Sequence, residues 1–527
     1  MKPEQTISIH GSHDASITFI DKNNKLRIYE YERFIKKRYA MFSSAFDNRK
    51  DFGSNEKERI DFIKLILNNL IDTNIKLILY SELNNNDIDF LKNYFPNALF
   101  EEKGHHFSHA CSAYYSSGFK NALIFSVDGG GMDNNVVAST KLYIGNLDNI
   151  NEIPCSNFDF GSTYSGIGFL ISEIKPGAEG PECIHSLSYA GKIMGLCAYG
   201  TIIEEWKSSF NNYYNHNNLN QLCQELSIPY GYNTISGKTA YDLAATSQFT
   251  FEKRMDDFLL PYIEKYNLDV VLVGGCALNV LYNQKLYEYL KNKNLNLYIP
   301  SNPNDCGLSY GMFLSKFPNL GTQEVLYNGL EILDNDNLDY YLKNYQHEEY
   351  SDSRIVELLK KGSIIGIIDN YSEVGPRALG NRSIICDPSF KKMKDILNAK
   401  VKFREWYRPF APVCRLEDKD IYFVNSCESK YMSYAPKVNT EFKEQLSSIV
   451  HQDDTTRLQT VTLNQHKVFY NILSELSKKE FIPVILNTSF NIKGFPILST
   501  LKDAFYVLDT TELDYVVTNN KIFSKLK

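Results

Sequence analysis

No two cysteines lie close enough in sequence to clamp a metal. The tightest spacing among the ten is Cys414 to Cys427, so there is no CxxC pair and no zinc-ribbon pattern. A scattered set of this kind reads as reduced, mostly buried thiols. The chain also lacks any run of ~18 apolar residues that would span a bilayer. Its opening, MKPEQTISIHG, has no apolar signal-peptide core. A cytoplasmic, soluble protein with no membrane partner is expected. Positive charge is in short supply: 56 Lys+Arg face 63 Asp+Glu, for a net charge of -7. A protein built to coat nucleic acid is more often basic, so nucleic acid is not expected as a partner. What is present, 43% hydrophobic and 13% aromatic residues over 527 positions, excludes wholesale disorder. At ~150 residues per domain it predicts two to four domains.

The first third alternates between strand and helix patterns. Ile7–Ile9, Ala15–Ile20 and Leu26–Tyr31 predict a three-stranded meander interrupted by a Gly-Ser-His-Asp turn. Apolar spacing predicts a helix over Ile60–Ile71, a strand over Ile75–Tyr80, a helix over Ile88–Tyr94 and another helix from His105. The pattern then restarts. A strand from Asn121 ends in Asp128-Gly129-Gly130-Gly131, followed by an alternating return over Val136–Ile144. Strand, Asp-bearing turn and return strand in both places predict a duplicated α/β unit. Residues 205–240, rich in Asn, Tyr and Ser, read as an insertion, and Asp269–Val273 as a further strand. A boundary is expected near 335–352, with a new apolar strand over Ser363–Ile368.

Three features carry chemistry. His105 and His109 are spaced i, i+4, so a helix would project both from one face. With Asp128 on a glycine-flanked strand end they would suit iron, zinc or manganese. The strand into Gly274-Gly275, with a helix predicted beyond it, would let a phosphate or ribose approach the backbone. Asp305 places another carboxylate beside a glycine, where alone it reads as a helix cap. Between Arg377 and Arg408 stand nine Lys/Arg against three Asp/Glu, beside glycine turns. In an acidic chain that excess points to an anion site.

Taken in order, these segments resemble a known family. They are His13-Asp14-Ala15-Ser16, Glu32-Arg33-Phe34, His105-His106-Phe107-Ser108-His109-Ala110, Val127-Asp128-Gly129 and Gly191-Lys192-Ile193-Met194-Gly195-Leu196. Further on come Gly274–Asn279, Asp305-Cys306-Gly307, GPRALGNRS over 375–383, Arg408-Pro409-Phe410-Ala411-Pro412 and Asn487-Thr488-Ser489-Phe490-Asn491. The chain is similar to the ATP-dependent O-carbamoyltransferases that modify nodulation factors, cephalosporins and aminoglycosides. The resemblance implies two α/β domains. Residues 1–345 would form an actin/hexokinase-like (ASKHA) carbamoyl-transfer domain, and 346–527 a YrdC-like domain that forms carbamoyl adenylate.

By the same resemblance His105, His109, Asp128 and Asp305 would hold a divalent metal, iron. Gly129, Gly130, Lys192, Gly274, Gly275 and Asn279 would bind nucleotide, and His13, Asp14 and Arg38 would be catalytic. Arg377, Lys402, Arg408, Arg457, Ser489 and Asn491 would bind carbamoyl phosphate and ATP, the latter with Mg2+. The expected acceptor is a hydroxylated small molecule or sugar. Some positions depart from the family pattern: Arg38 stands where lysine is usual, Phe495 where glutamate is usual, and Asp454 where glycine is common. The alternative reading is a sugar or acid kinase of the same superfold. It accounts for Asp14, Asp128 and the glycine turns, but leaves the histidine pair and the basic C-terminal cluster without a role.

Overall fold

The computed structural model describes residues 2–526 apart from 44–52, 134–135, 148 and 175–181, and for 182–186 the backbone only. The chain divides into two compact units, Met1–Asn328 and Gly329–Lys527. The compositional change near 335–352 therefore lies inside the second unit, where Gln346–Glu349 pairs with Lys521–Ser524.

The first unit holds two five-stranded sheets. One is built from β1 (Thr6–His10), β2 (Ser16–Ile20), β3 (Leu26–Glu30), β4 (Leu77–Ser81) and β5 (Leu99–Glu102), in the order β3-β2-β1-β4-β5. The other is built from β6 (Asn121–Asp133), β7 (Val136–Asn146), β8 (Asn149–Ile153), β9 (Asp269–Val273) and β10 (Leu297–Tyr298), in the order β10-β9-β6-β7-β8. In each sheet the first strand is central. An antiparallel meander lies on one side of it and two parallel strands on the other. This is the duplicated plan expected of an actin/hexokinase-like domain.

The helix His105–Ser117 packs on β6 and on the helix Leu308–Lys316, which in turn packs on β1. The two helices approach so closely that a Cβ on Gly311 would stand 1.8 Å from the Ser108 carbonyl oxygen, so only glycine fits there. The segment read as an insertion is helical, with Lys207–His216, Leu219–Leu226 and the start of a thirty-residue helix, Gly237–Tyr266.

The second unit is built on one eight-stranded sheet. Its strand order is Gln346–Glu349, Lys521–Ser524, Tyr515–Thr518, Ile365–Ile368, Arg382–Cys386, Val484–Ser489, Ala411–Arg415, Gln459–Val461. Side chains alternate between its two faces, as a strand requires. Ile365, Ile367, Ile385 and Ile485 pack with Ile355, Phe469 and Ile472 of the helices Asp352–Lys360 and Lys467–Lys478. Ile368, Ile384, Leu486 and Val516 pack with Leu501, Phe505 and Leu508 of the helix Leu501–Thr510. At about 1.5–3 kcal/mol for each buried aliphatic or aromatic side chain, both faces contribute substantially to stability. Nine cysteines among the described residues are free thiols, all but Cys155 and Cys427 buried. The Cys183 side chain lies outside the described residues. Among the described residues no helix is long and apolar enough to cross a membrane.

Candidate active site

The four residues named for a metal come from three places in the first unit and converge. His105 opens its helix directly after Gly104, and His109 follows one turn later on the same face. Asp128 sits where the pairing of β6 with β7 breaks between Val127 and Gly131, a bulge that re-aims the carboxylate out of the sheet. Asp305 opens the short turn Asp305–Gly307, with Asn304 ahead of it in the cap position. One ligand atom from each of the four lies within 4.8 Å of those from the others. His109 Nε2 is 3.3 Å from Asp128 Oδ2 and 3.4 Å from Asp305 Oδ1, and His105 Nε2 is 3.7 Å from Asp305 Oδ1. Both imidazole Nε2 atoms are buried and make no hydrogen bond. Two orphaned imidazole nitrogens opposite two carboxylates form a donor set that fits a divalent transition metal.

The surroundings hold that set in place. Glu82, at the end of β4, contacts His105 Nδ1 at 3.2 Å, which leaves Nε2 to face the cradle. Asp128 accepts the N–H groups of Gly129 and Gly275, each at 2.6 Å. Burial opposes its charge, but His109 and His105 outweigh burial and hold the carboxyl well below its usual range. His106, between the two ligand histidines in sequence, points elsewhere. Its Nε2–H donates to the Ala138 carbonyl at 2.8 Å, and its Nδ1 accepts from Ser126 at 2.7 Å. Burial then drives its pKa down to about 3. His13 faces the cradle from the turn after β1, with Nε2 3.3 Å from Asp305 and Nδ1 3.2 Å from Asp14. Arg38 lies across the ring of Tyr39, 4.7 Å from its centroid, and donates to the Tyr39 hydroxyl at 2.8 Å.

The candidate nucleotide residues divide into two groups. Gly274 adopts φ +94, and a Cβ there would meet the Val127 carbonyl oxygen at 2.2 Å, so β9 ends against β6 at a turn that only glycine permits. Gly275 follows it on the Asp128 carboxylate, and Gly129 and Gly130 stand at the head of the same bulge. Asn279 and Lys192 are engaged otherwise. Asn279 caps the helix Val280–Asn292 by accepting from Tyr282 N–H at 3.1 Å, and its amide pairs with Gln248. The buried Lys192 ammonium donates to the Ile174 carbonyl at 2.7 Å.

In the second unit the loop 402–408 carries Lys402, Arg404 and Arg408. Lys402 Nζ reaches the Ser489 carbonyl (2.5 Å), Asn491 Oδ1 (2.5 Å) and the Asn491 carbonyl (2.7 Å), so it positions both residues at the end of the strand Val484–Ser489. Arg377 feels burial and then the charge of Arg408, which pull its pKa down to about 10. Arg457 is lowered by burial and then by Arg377, Arg404 and Arg408, and its Nε is buried without a hydrogen bond. Burial and the neighbouring guanidinium groups thus act in the same direction on both arginines, against their charged forms. The GPRALGNRS loop is held by the Glu373 carboxylate, which accepts the N–H groups of Leu379, Asn381 and Arg382 at 2.7, 2.8 and 3.1 Å. Arg382 itself is buried, donating to the carbonyls of Asn370 and Asn381, and serves the loop rather than a ligand.

Sequence reasoning did not single out Glu82, His10 or Arg404. His10 ends β1 beside the turn that bears His13, with its ring between the Ser81 hydroxyl and the His13 carbonyl. Arg404 lies inside the basic run, but nothing in the run ranks it above its neighbours.

The chain matches the family model of the carbamoyltransferase N-terminus over residues 54–313 and that of the carbamoyltransferase C-terminus over residues 356–525. It is 31% identical to the uncharacterized protein MJ1051 of Methanocaldococcus jannaschii, over 80% of this chain and 83% of that protein. It is 30% identical to the nodulation protein NolNO of Sinorhizobium fredii, over 80% of this chain and 63% of that protein. Among solved structures, full-length HypF in its phosphate- and nucleotide-bound form is 13% identical, with a TM-score of 0.35 over 60% of this chain and 56% of that one.

Proposed function

Because the chain belongs to the carbamoyltransferase family, we propose that it is an ATP-dependent O-carbamoyltransferase working in two steps. In the second unit carbamoyl phosphate and ATP, the latter with Mg2+, give carbamoyl adenylate. Both reactants are polyanions, and Arg377, Arg404, Arg408 and Arg457 supply guanidinium groups suited to bidentate phosphate contacts. Ser489 and Asn491, fixed by Lys402, orient the reacting phosphates. The first unit then takes the adenylate. The glycines of the Gly274-Gly275 turn and of the bulge at Gly129-Gly130 carry no side chain that would keep a nucleotide from the backbone. His105, His109, Asp128 and Asp305 would hold a divalent metal, iron by family resemblance, which would supply Lewis-acid polarisation at that place. His13, Asp14 and Arg38 line the side from which a hydroxyl of a sugar or other small acceptor attacks.

The observation that carries this reading is the crowding of arginines in the second unit, where Arg377 and Arg457 are both held down by burial and by neighbouring guanidinium groups. A kinase of the actin-like superfold has no use for such a second anion site. The test is purified protein with ATP and carbamoyl phosphate, singly and together, followed for pyrophosphate. Pyrophosphate that requires both substrates supports the reading. ADP formed with an acceptor and no carbamoyl donor would overturn it.

A further inference from the structure

The loop 402–408, which carries Lys402, Arg404 and Arg408, is held in a strained conformation. Phe403 stands at φ +49, a left-handed position that a bulky residue adopts only where its surroundings force it. Hydrogen bonds on both sides do so. The Lys402 carbonyl accepts Lys493 N–H at 3.0 Å, and Arg404 N–H donates to the Asn398 carbonyl at 2.9 Å. The turn sends the Lys402 ammonium to Ser489 and Asn491, and the Arg404 guanidinium back to Asn398. Ahead of the loop, Leu397–Val401 winds as one π-helical turn, with Lys402 N–H on the Leu397 carbonyl at 2.8 Å. Wide turns of this kind recur at functional sites.

Asn398 sits in that turn, buried, and commits its whole side chain to the loop. Its Oδ1 accepts Arg404 Nε–H at 2.8 Å, while Nδ2 donates to the carbonyls of Trp406 at 3.2 Å and Arg408 at 3.1 Å. Arg404 is fixed further by an Nη2–H on the Pro409 carbonyl at 3.4 Å. Its guanidinium also lies over the Phe410 ring, 4.5 Å from the centroid. One amide therefore sets the plane of the Arg404 guanidinium and pins the backbone that carries Arg408. Asparagine gives a helical turn nothing locally, since its side chain competes with the backbone bonds. Its use here lies across the turn, in the loop.

We infer that Asn398 is a positioning residue for the anion site of the second unit, holding Arg404 and Arg408 in the arrangement that carbamoyl phosphate and ATP require. The inference rests on the carbamoyl adenylate reading above. Asn398 touches neither reactant and acts through the two arginines. It restricts two long cationic side chains before the phosphates arrive, and bidentate guanidinium contacts tolerate little displacement.

The test uses the full chain with ATP and carbamoyl phosphate, followed for pyrophosphate. Wild type, Asn398→Ala, Arg404→Ala and the double variant are compared at a temperature below the thermal midpoint of all four. Asn398→Ala is expected to lose about 10- to 100-fold in kcat/KM for carbamoyl phosphate. In the Arg404→Ala background the same substitution costs at least about threefold less, because one of its two arginines is already gone. A merely structural residue would lower the thermal midpoint and cost the same factor in both backgrounds, so equal factors overturn the inference. A folded Asn398→Ala protein that works at the wild-type rate overturns it too. Should Asn398→Ala not fold, Asn398→Asp takes its place in the same cycle and is judged by the same outcomes. It has the same shape, keeps the acceptor for Arg404 and loses both donors to the loop. A wild type that makes no pyrophosphate from the two substrates removes the function reading and this inference with it.

Discussion

Arg457 shows how a single residue separates an anion site from a surface charge. Its Nε is buried without a hydrogen bond, and its nearest electrostatic neighbours are three other arginines. An arrangement that repels itself in the absence of anions is relieved by phosphate. Arg457→Ala is therefore expected to slow pyrophosphate formation by an amount worth about 2–4 kcal/mol of transition-state stabilisation. The same change leaves the thermal midpoint of the substrate-free protein equal or higher, because one repelling charge is gone. Near wild-type pyrophosphate formation would instead show that Arg457 does not contact the donor's phosphate. At this scale His105, His109 and Asp128 were legible as a group, because histidine spacing and the Asp-Gly turn are written in the chain, whereas Asp305 alone read as a helix cap and joined them only through the family resemblance. Glu82 was not legible, because its place beside His105 depends on which strand ends meet. The departure at Asp454 also has a local explanation. Its φ is +67, a left-handed position where glycine is the easy choice and aspartate is tolerated. Asp453 closes the turn by accepting the Thr455 N–H at 3.1 Å.

At the scale of elements, start signals explain where sequence reading slipped. The helices expected over 60–71 and 88–94 run over Glu56–Asn69 and Asn85–Lys92. Capping boxes at Asn55 and Asn84 begin each before the apolar period becomes visible. The thirty-residue helix from Gly237 stayed hidden because polar and aromatic composition masked its period. A different cap leads to a pH prediction. His466 closes the N-terminus of the helix Lys467–Lys478, its Nδ1 accepting Phe469 N–H at 3.1 Å, while Nε2 faces Asn381 Oδ1 at 3.2 Å in the GPRALGNRS loop. Burial lowers its pKa from 6.5 to about 4. The unfolded chain therefore binds this proton more readily than the folded one. The stabilisation is whole above pH 6.5 and is lost as pH falls toward 4, amounting to about 3 kcal/mol. Denaturant unfolding of the wild type should show this loss. His466→Asn, a cap that does not titrate, should flatten it, whereas parallel curves for the two proteins would exclude His466 as the cause.

For the whole molecule, the strand–turn repeat visible in the sequence becomes two sheets of one topology, and the candidate metal ligands stand on the second copy and on the segments between and after the two. The second unit has its own sheet and core, and no residue assigned to carbamoyl adenylate formation lies before Arg377. The half-reactions should therefore come apart. Removing one imidazole from a set of four ligands leaves a metal weakly held, and loss of a Lewis acid costs several kcal/mol of charge stabilisation. His109→Ala is expected to lose bound metal and carbamoyl transfer while still forming pyrophosphate from ATP and carbamoyl phosphate. Chelation of the wild type should reproduce that pattern, and returning a divalent metal should restore transfer to the wild type but not to the variant. Metal content measured beside both products decides it. A His109→Ala protein that keeps its metal and transfers normally would dismiss the histidine pair as ligands. A folded variant that loses both half-reactions would show that the first unit takes part in making the adenylate as well as in spending it.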